Sequence, residues 1–164
     1  MKIHIASDHA GFELKQKLVP FIKGLGLEVV DHGPVKFDPE DDYPDLMKPA
    51  AIAVASDPVN SKGVVIGGSG FGEAMVVNKI AGIRAVNFYG PKITTQAVDI
   101  TGRLSSDPYE ILRLAREHNN ANVLAMGSRF VTEEEAKEAI RIFIETPFLN
   151  EERHVRRIKK IDQI

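Results

Sequence analysis

A strand, a loop rich in glycine and serine, and a helix follow one another in residues 63–79, GVVIGGSGFGEAMVVNK. The apolar run Val64–Ile66 predicts a parallel strand that is covered on both faces. The loop ends at Gly72 and opens at the carboxyl end of this strand, where backbone N–H groups and the amino end of the next helix attract anions. Glu73 lies in the first turn of that helix. This combination indicates an anion or oxyanion site with a carboxylate base beside it.

The spacing of the loop disfavours three familiar glycine motifs. A dinucleotide fingerprint counted from Gly68 needs a third glycine where the chain has Glu73. A P-loop counted from Gly67 needs lysine at that same position, and a carboxylate there would repel the phosphates. A nucleophile elbow around Ser69 needs glycine two residues later, where the chain has Phe71. A nicotinamide cofactor, ATP hydrolysis and an acylating serine are therefore disfavoured.

Composition narrows the class of protein. The chain has 164 residues and is 43% hydrophobic, which is enough for one domain, residues 1–164, with a full core. It has no cysteine, and Met1 leads directly into a strand, so we expect a cytoplasmic protein without a secretory or membrane segment. The 21 basic and 23 acidic residues give no overall field that would attract nucleic acid. Charge is local, acidic in residues 38–45 and basic in residues 153–160.

Strands and helices alternate along the chain, which predicts a three-layer α/β/α sandwich with a mainly parallel sheet. The first helix has apolar residues at helical spacing, a proline near position 44 opens the second, and Thr132 with Glu135 forms a capping box for a helix through Glu145. The predicted strands are 2–7, 27–31, 63–66, 83–88 and 123–126. The first predicted helix follows Gly11 and ends at Gly24 or Gly26, and the others are 44–56, 72–79, 109–118, 133–145 and 150–161.

Two segments stand apart from this alternation. Residues 90–108 lack a clear period and carry turn formers, which predicts an insertion or lid before the helix that starts near Tyr109. Residues 150–161 form a basic C-terminal helix, for which Asn150 is the expected cap.

Five motifs in this order resemble the ribose-5-phosphate isomerase B family, and the resemblance spans nearly the whole chain. They are the glycine loop, residues 8–11 (DHAG), 42–44 (DYP), 116–121 (REHNNA) and 153–157 (RHVRR). The resemblance implies a five-stranded Rossmann-like fold and interconversion of aldose and ketose phosphates in carbohydrate metabolism, without metal or other cofactor. It also implies a homodimer or homotetramer whose site lies at the subunit interface.

The chain departs from that family in two places. Many members carry a cysteine base at the position of Gly67, and this chain is similar to the branch in which the base is a glutamate, here Glu73. Residues 90–108 are longer than the family usually shows, which leaves the preferred sugar open.

Aldose–ketose isomerisation needs a base, an oxyanion site and a proton shuttle. Glu73 is the only carboxylate at the loop and is the candidate base, although a glutamate in a first helical turn can also serve only to stabilise the helix. Ser69 is the candidate proton relay. The candidate oxyanion and substrate contacts are the backbone groups of Gly68, Ser69, Gly70, Phe71 and Gly72, whose alternative role is a tight turn needed for packing.

Four further residues have two interpretations each. By resemblance His118 opens the furanose ring with help from Asp8, but a histidine at a helix end also compensates the helix dipole and Asp8 can act as an N-cap. Tyr43 either packs over the sugar or staples its own turn, and Asn119 either binds a sugar hydroxyl or forms an Asx turn. His9 follows the first strand with Asp8 and is expected to face the same crevice as the glycine loop.

Arg153 and Arg157 are four residues apart and therefore share one face of the last helix, a spacing at which two guanidinium groups can grip a phosphate. Arg129, after the fifth strand, is a third candidate. The alternative is a solvated basic helix that pairs with Glu151 and Glu152. His4, His32 and His154 have no spacing that suggests a metal site.

These residues, taken with the family resemblance, favour an isomerase of ribose 5-phosphate and ribulose 5-phosphate that works through a cis-enediolate. Two alternatives stay open. One is an isomerase of another phosphosugar, such as allose or galactose 6-phosphate or a tetrose phosphate. The other is a non-catalytic module that binds a phosphorylated metabolite. In each case the partner is a small phosphosugar or metabolite, with no role for nucleic acid or membrane.

Overall fold

The structure is a computed structural model that describes residues 1–164 and contains five strands and six helices. The strands are β1 Lys2–Ser7, β2 Glu28–Asp31, β3 Ser61–Gly67, β4 Ala85–Phe88 and β5 Val123–Gly127. The helices are α1 Phe12–Gly24, α2 Tyr43–Ser56, α3 Phe71–Val77, α4 Glu110–Asn119, α5 Glu133–Glu145 and α6 Glu152–Ile161.

The strands form one sheet in the order β2-β1-β3-β5-β4, and every neighbouring pair is parallel. The predicted three-layer α/β fold is thereby confirmed. From β1 the chain continues to β2 on one side and then crosses to β3 on the other side of β1, so the direction of building reverses between β1 and β3. Loops at such a reversal leave in opposite directions and open a crevice at the carboxyl ends of the two strands.

Both faces of the sheet are apolar, because side chains alternate between two separate cores. In β3, Val64 and Ile66 belong to one core while Val65 belongs to the other. The first core is completed by side chains of α1, α4 and α5, including Leu18, Leu112 and Phe143. The second core is completed by α2 and α3, including Met47, Val54 and Val77.

Most predicted elements are confirmed to within two residues at each end. The capping box is present, since Glu135 N–H donates to the Thr132 hydroxyl and the Glu135 carboxylate accepts from Thr132 N–H. The predicted cap at Asn150 is wrong. Glu151 is the N-cap of α6, and Asn150 instead takes a left-handed conformation with φ 55°, which asparagine tolerates in turns.

Residues 90–108 contain no helix or strand. None of the six helices combines the length and the apolar character needed to cross a membrane.

Two histidines hold the edge strand β2 against β1. His4 Nδ1 and His32 Nε2 lie 2.9 Å apart, so at least one ring must be neutral to accept the hydrogen bond. Burial lowers the pKa of both rings below the ordinary value of 6.5, and for His4 the neighbouring His32 lowers it further. The folded protein therefore binds fewer protons at this pair than the unfolded chain does.

We expect the free energy of unfolding to decrease as the pH falls below the ordinary histidine pKa of 6.5, because these lowered pKa values favour the unfolded chain at low pH. The contribution is fully present above that value and is lost through the lower pKa values of the folded protein. Urea unfolding at about pH 7.5 and about pH 5.5 measures the change. His32→Asn should reduce this difference; an equal difference in the variant would assign it to other groups.

Candidate active site

The register between β1 and β3 brings two loops together. Ser7 lies opposite Ile66, and the backbone N–H of Asp8 donates to the Ile66 carbonyl over 3.0 Å. The Asp8 side chain is buried, and its carboxylate accepts a hydrogen bond from Gly11 N–H at 2.9 Å. Asp8 and His9 therefore enter the same crevice as the glycine loop that follows β3, as predicted from sequence.

The carboxylate of Glu73 fills the space beside Gly67. A Cβ atom built on Gly67 would lie 2.5 Å from Oε2 of Glu73 and closer still to Oε1, so any side chain at position 67 would displace the carboxylate. Glu73 is only 4% exposed. Burial raises the pKa of Glu73, the negative charges of Asp8 and Asp41 raise it further, and the backbone N–H groups of Glu73 and Gly70 partly oppose this.

The glycine loop is fixed in shape by its neighbours. Gly70 adopts φ 77°, and a Cβ there would come within 2.9 Å of the Met126 carbonyl carbon, so this position requires glycine. The Asn87 side-chain amide donates to the Gly70 carbonyl at 2.7 Å. Ser69 is half-buried, and its hydroxyl accepts a long hydrogen bond from Phe71 N–H at 3.4 Å.

Two side chains lie over the loop glycines. The guanidinium of Arg129 covers Gly68, since a Cβ on Gly68 would lie 3.1 Å from the Arg129 Cζ. The backbone N–H of Arg129 also donates to the Gly68 carbonyl at 3.3 Å. The Tyr43 ring covers Gly72, with its Cζ 2.8 Å from the corresponding Cβ position. The structure thus brings Tyr43 and Arg129 to the same crevice as Glu73.

Asp41 is a member of this site that the sequence reasoning missed. His9 Nδ1 and Asp41 Oδ1 lie 2.7 Å apart, and the hydrogen bond to Asp41 raises the pKa of His9. The Asp41 side chain is only 8% exposed, and its second oxygen is buried without a hydrogen-bond partner. In the sequence, Asp41 lies within the acidic run 38–45, which resembles a solvated surface segment.

A buried lysine holds the start of the segment that carries Asp41. Lys15 has no exposed surface, and its ammonium donates to Asp31 Oδ1 at 2.6 Å and to the Pro34 carbonyl at 2.9 Å. The same Asp31 oxygen accepts from Gly33 N–H at 2.9 Å. The chain that leaves β2 toward Asp41 is therefore fixed at its beginning by a paired buried charge.

A second group of predicted residues lies at the opposite side of the sheet, where the amino ends of the strands meet. We call this the amino edge, and the side with Glu73 the carboxyl edge. Helix α4 runs antiparallel to the strands, and after Asn119 the chain enters β5 at Val123, which pairs with Ala85 at the amino end of β4. Val123 also pairs with Gly63, four residues before Gly67 in β3, a separation of about 13 Å at the ordinary rise of a strand. Within one chain, His118 and Asn119 therefore lie at the amino ends of the strands, whereas Glu73 lies at their carboxyl ends.

The tail arginines accompany His118 at this second edge. Arg153, Arg157 and His118 line one cavity of about 260 Å³. The His118 ring stacks on the buried ring of His154, with centroids 4.3 Å apart. Burial lowers the pKa of His154, and the neighbouring His118 lowers it further. Arg153 also pairs with Glu151 at 2.7 Å, one of the two partners that the alternative interpretation named.

Exposed apolar side chains cluster at the start of α3 and after β4 and β5. Phe71 is 54% exposed and its ring lies 5.1 Å from that of Tyr89, which is 6.4 Å from that of Phe130. Met75, one turn after Phe71 on α3, is also exposed. A contiguous patch of this kind is typical of a surface that another molecule covers. No group of three or more histidine, aspartate or glutamate side chains has the arrangement of a metal site.

Comparison with known proteins places this arrangement in a family. The model of the Ribose/Galactose Isomerase family matches residues 3–103 and 99–161. The ribose-5-phosphate isomerase B of Mycobacterium tuberculosis is 37% identical over 96% of this chain and 86% of its own, and that of Escherichia coli is 36% identical over 99% and 95%.

Solved structures agree with the sequence matches. The ribose-5-phosphate isomerase B of Mycoplasma genitalium, determined with bound ribulose-5-phosphate, superposes with a TM-score of 0.84 at 36% identity and covers 99% of this chain and 94% of its own. The structure from Thermotoga maritima superposes with a TM-score of 0.83 at 37% identity, covering 99% and 98%. The resemblance carried by the five motifs is thereby confirmed, and the chain belongs to the Ribose/Galactose Isomerase family.

Proposed function

We propose that this protein interconverts ribose 5-phosphate and ribulose 5-phosphate, with Glu73 as the base and without a metal. The observation that carries the proposal is the buried Glu73 carboxylate in the space beside Gly67, at the carboxyl edge of the sheet. The names of the relatives support the substrate pair, since one of their structures holds ribulose-5-phosphate. A raised pKa suits Glu73 to this work, because a stronger base takes a proton from carbon more readily.

The proposed reaction is an internal transfer of hydrogen between two carbons. Glu73 takes the proton from C2 of the open aldose, the C–H electron pair forms the C1–C2 double bond, and O1 takes the negative charge of a cis-enediolate. Backbone N–H groups of residues 68–72 stabilise that charge. Ser69 passes a proton from O2 to O1, and Glu73 returns its proton to C1 as the C2 carbonyl forms, which completes the ketose.

The complete site requires a second copy of this chain. Glu73 and Asp8 lie at the carboxyl edge of the sheet, whereas His118 and the arginines of α6 lie at the other edge, so one chain cannot bring both groups to one sugar. In a symmetric dimer, each carboxyl-edge crevice receives the His118 edge of the other copy. The exposed patch around Phe71 and Tyr89 is the surface that the second copy would cover.

The phosphate would lie between cations from both copies. His9 and Arg129 are near enough for the Arg129 charge to oppose protonation of His9, and Asp41 compensates by favouring the charged ring. The side chains of His9 and Arg129 would face the crevice from one copy, and those of Arg153 and Arg157 would face it from the other. Guanidinium groups suit this task because they bind phosphate oxygens in pairs.

Replacement of Glu73 by Gln should reduce turnover of ribose 5-phosphate at least about a hundredfold while substrate still binds, because only the proton transfer is removed. The thermal midpoint should not fall, since the raised pKa means that the buried ionised form is disfavoured by the fold. Steady-state kinetics and thermal unfolding measure the two effects. Glu134→Gln, the same change at an exposed first-turn position of α5, is the matched control. Near-normal turnover in Glu73→Gln would refute the base.

Replacement of Gly67 by Ala should displace the Glu73 carboxylate, reduce turnover at least about tenfold and lower the free energy of unfolding by about 1–3 kcal/mol, as overpacking does. In a Glu73→Ala background, which removes the carboxylate, the same change should cost less stability. Gly24→Ala, at a glycine with open space around it, is the control. Additive effects of Gly67→Ala and Glu73→Ala on stability would show that the two positions do not compete for one space.

Mixing two inactive variants tests the shared site. Glu73→Gln disables one edge of the chain, and the double variant Arg153→Ala/Arg157→Ala disables the other. When the chains are co-expressed, half of the dimers should be mixed and half of the sites in those should be intact, which restores roughly a quarter of wild-type kcat/KM. Each variant alone is the control. A mixture no more active than the mean of its components would place the whole site within one chain.

A further inference from the structure

Residues 90–108 form an ordered excursion between β4 and α4. Three hydrogen bonds join its two arms: Lys92 N–H to the Pro108 carbonyl at 2.7 Å, the Thr94 hydroxyl to the Ser105 carbonyl at 3.1 Å, and Val98 N–H to the Arg103 carbonyl at 2.8 Å. The two arms run side by side from the carboxyl edge of the sheet to a tip between residues 98 and 103. We call this segment the hairpin segment.

A chain of charged groups fixes the tip. Asp99 accepts hydrogen bonds from Thr101 N–H at 2.8 Å, from the Thr101 hydroxyl at 2.6 Å and from Arg103 Nε at 3.1 Å. Arg103 reaches onward to the buried carboxylate of Glu110 at 2.7 Å, whose other oxygen accepts from the Ser105 hydroxyl at 2.8 Å. Because Glu110 is in the first turn of α4, the tip is tied to a rigid helix.

The tip reaches the His118 edge of the chain. Residues 97–100 line the same cavity of about 260 Å³ as His118, His154, Arg153 and Arg157. The cavity is thus lined by two arginines of α6, the stacked imidazoles of His118 and His154, and the tip of the hairpin segment. Val98 and Ile100 present apolar surface there, and the Asp99 carboxylate is already held by Thr101 and Arg103.

We propose that the tip of the hairpin segment, residues 97–100, is a specificity wall that limits the length of the phosphosugar accepted by the site. The proposal rests on the function proposed above, in which this cavity is offered to the crevice of a second copy. With the phosphate held by Arg153 and Arg157, the wall stands beside the carbon chain near His118. An additional carbon must then contact Val98 or Ile100.

The linked charged side chains at the tip, Asp99, Arg103 and Glu110, have a separate role in the same proposal. Asp99 lies in a cavity with two arginines, and a free carboxylate there would compete with the substrate phosphate for them. Arg103 holds Asp99 away from that competition. Arg103 is therefore a positioning residue, because it acts on the substrate through Asp99 and the shape of the tip.

The test compares phosphosugars of five and six carbons. In the double variant Val98→Ala/Ile100→Ala, kcat/KM for an aldose 6-phosphate relative to that for ribose 5-phosphate should rise about tenfold, since the loss of methyl groups from a wall is worth this much in discrimination. The affinity for a six-carbon sugar-acid phosphate relative to that for the five-carbon one, measured as the ratio of their dissociation constants, should also increase in this variant. Leu104→Ala is the control, because Leu104 is exposed in the same segment but does not line the cavity.

A second variant tests the positioning role. Arg103→Met should raise KM for ribose 5-phosphate about threefold to tenfold with kcat little changed, because phosphate binding weakens while proton transfer does not. Circular dichroism and thermal unfolding establish that each variant is folded. Suppose that the wild type isomerises ribose 5-phosphate, but folded Val98→Ala/Ile100→Ala keeps the wild-type ratios of kcat/KM and of dissociation constants, and folded Arg103→Met keeps the wild-type KM. The specificity wall is then refuted and the proposed function stands. If the wild type neither isomerises nor binds these phosphosugars, both proposals are refuted.

Discussion

A carboxylate lies against the end of β3 only because residue 67 has no side chain. The Glu73 carboxylate and a Cβ at position 67 would occupy one volume, so the pair is a single constraint with two members. The constraint depends on the sheet. Gly67 ends a central strand that is paired with β1 and β5 on either side, and α3 begins only four residues later. The loop between β3 and α3 is short, and it places the Glu73 side chain beside the end of a strand that both cores hold in place.

The charges of the crevice follow from that burial. Burial favours protonation of Glu73, and the charges of Asp8 and Asp41 are near enough to favour it further. The hydrogen bond to Asp41 favours the charged form of His9. In the proposed reaction Asp41 thus supports a cation, while Glu73 is the base. The proposed reaction, which takes a proton from carbon in a phosphorylated sugar, uses both.

The sequence predicted those parts of the molecule that depend on near neighbours in the chain. The strands, the capping box of Thr132 and Glu135, and the loop before Glu73 are local patterns, and the structure confirms them as elements. The pairing of His9 with Asp41 joins residues that are 32 apart and depends on the path of the chain after β2, for which no periodicity exists. The separation of His118 from Glu73 could have been predicted from the sequence. In an alternating parallel fold a helix returns toward the amino ends of the strands, so a residue at its carboxyl end is far from a loop that follows a strand.

That separation gives the hairpin segment its importance. The segment starts after β4, near the aromatic patch of the carboxyl edge, and its tip ends beside His118 at the other edge, so it spans the distance that divides the two groups of site residues. Here the added residues contact the half of the site that holds His118 and the arginines, while Glu73 and the glycine loop keep their surroundings. Under the two proposals, proton transfer and the choice of substrate depend on different parts of the chain. The hairpin segment can then change in length and sequence without disturbing the space shared by Gly67 and Glu73.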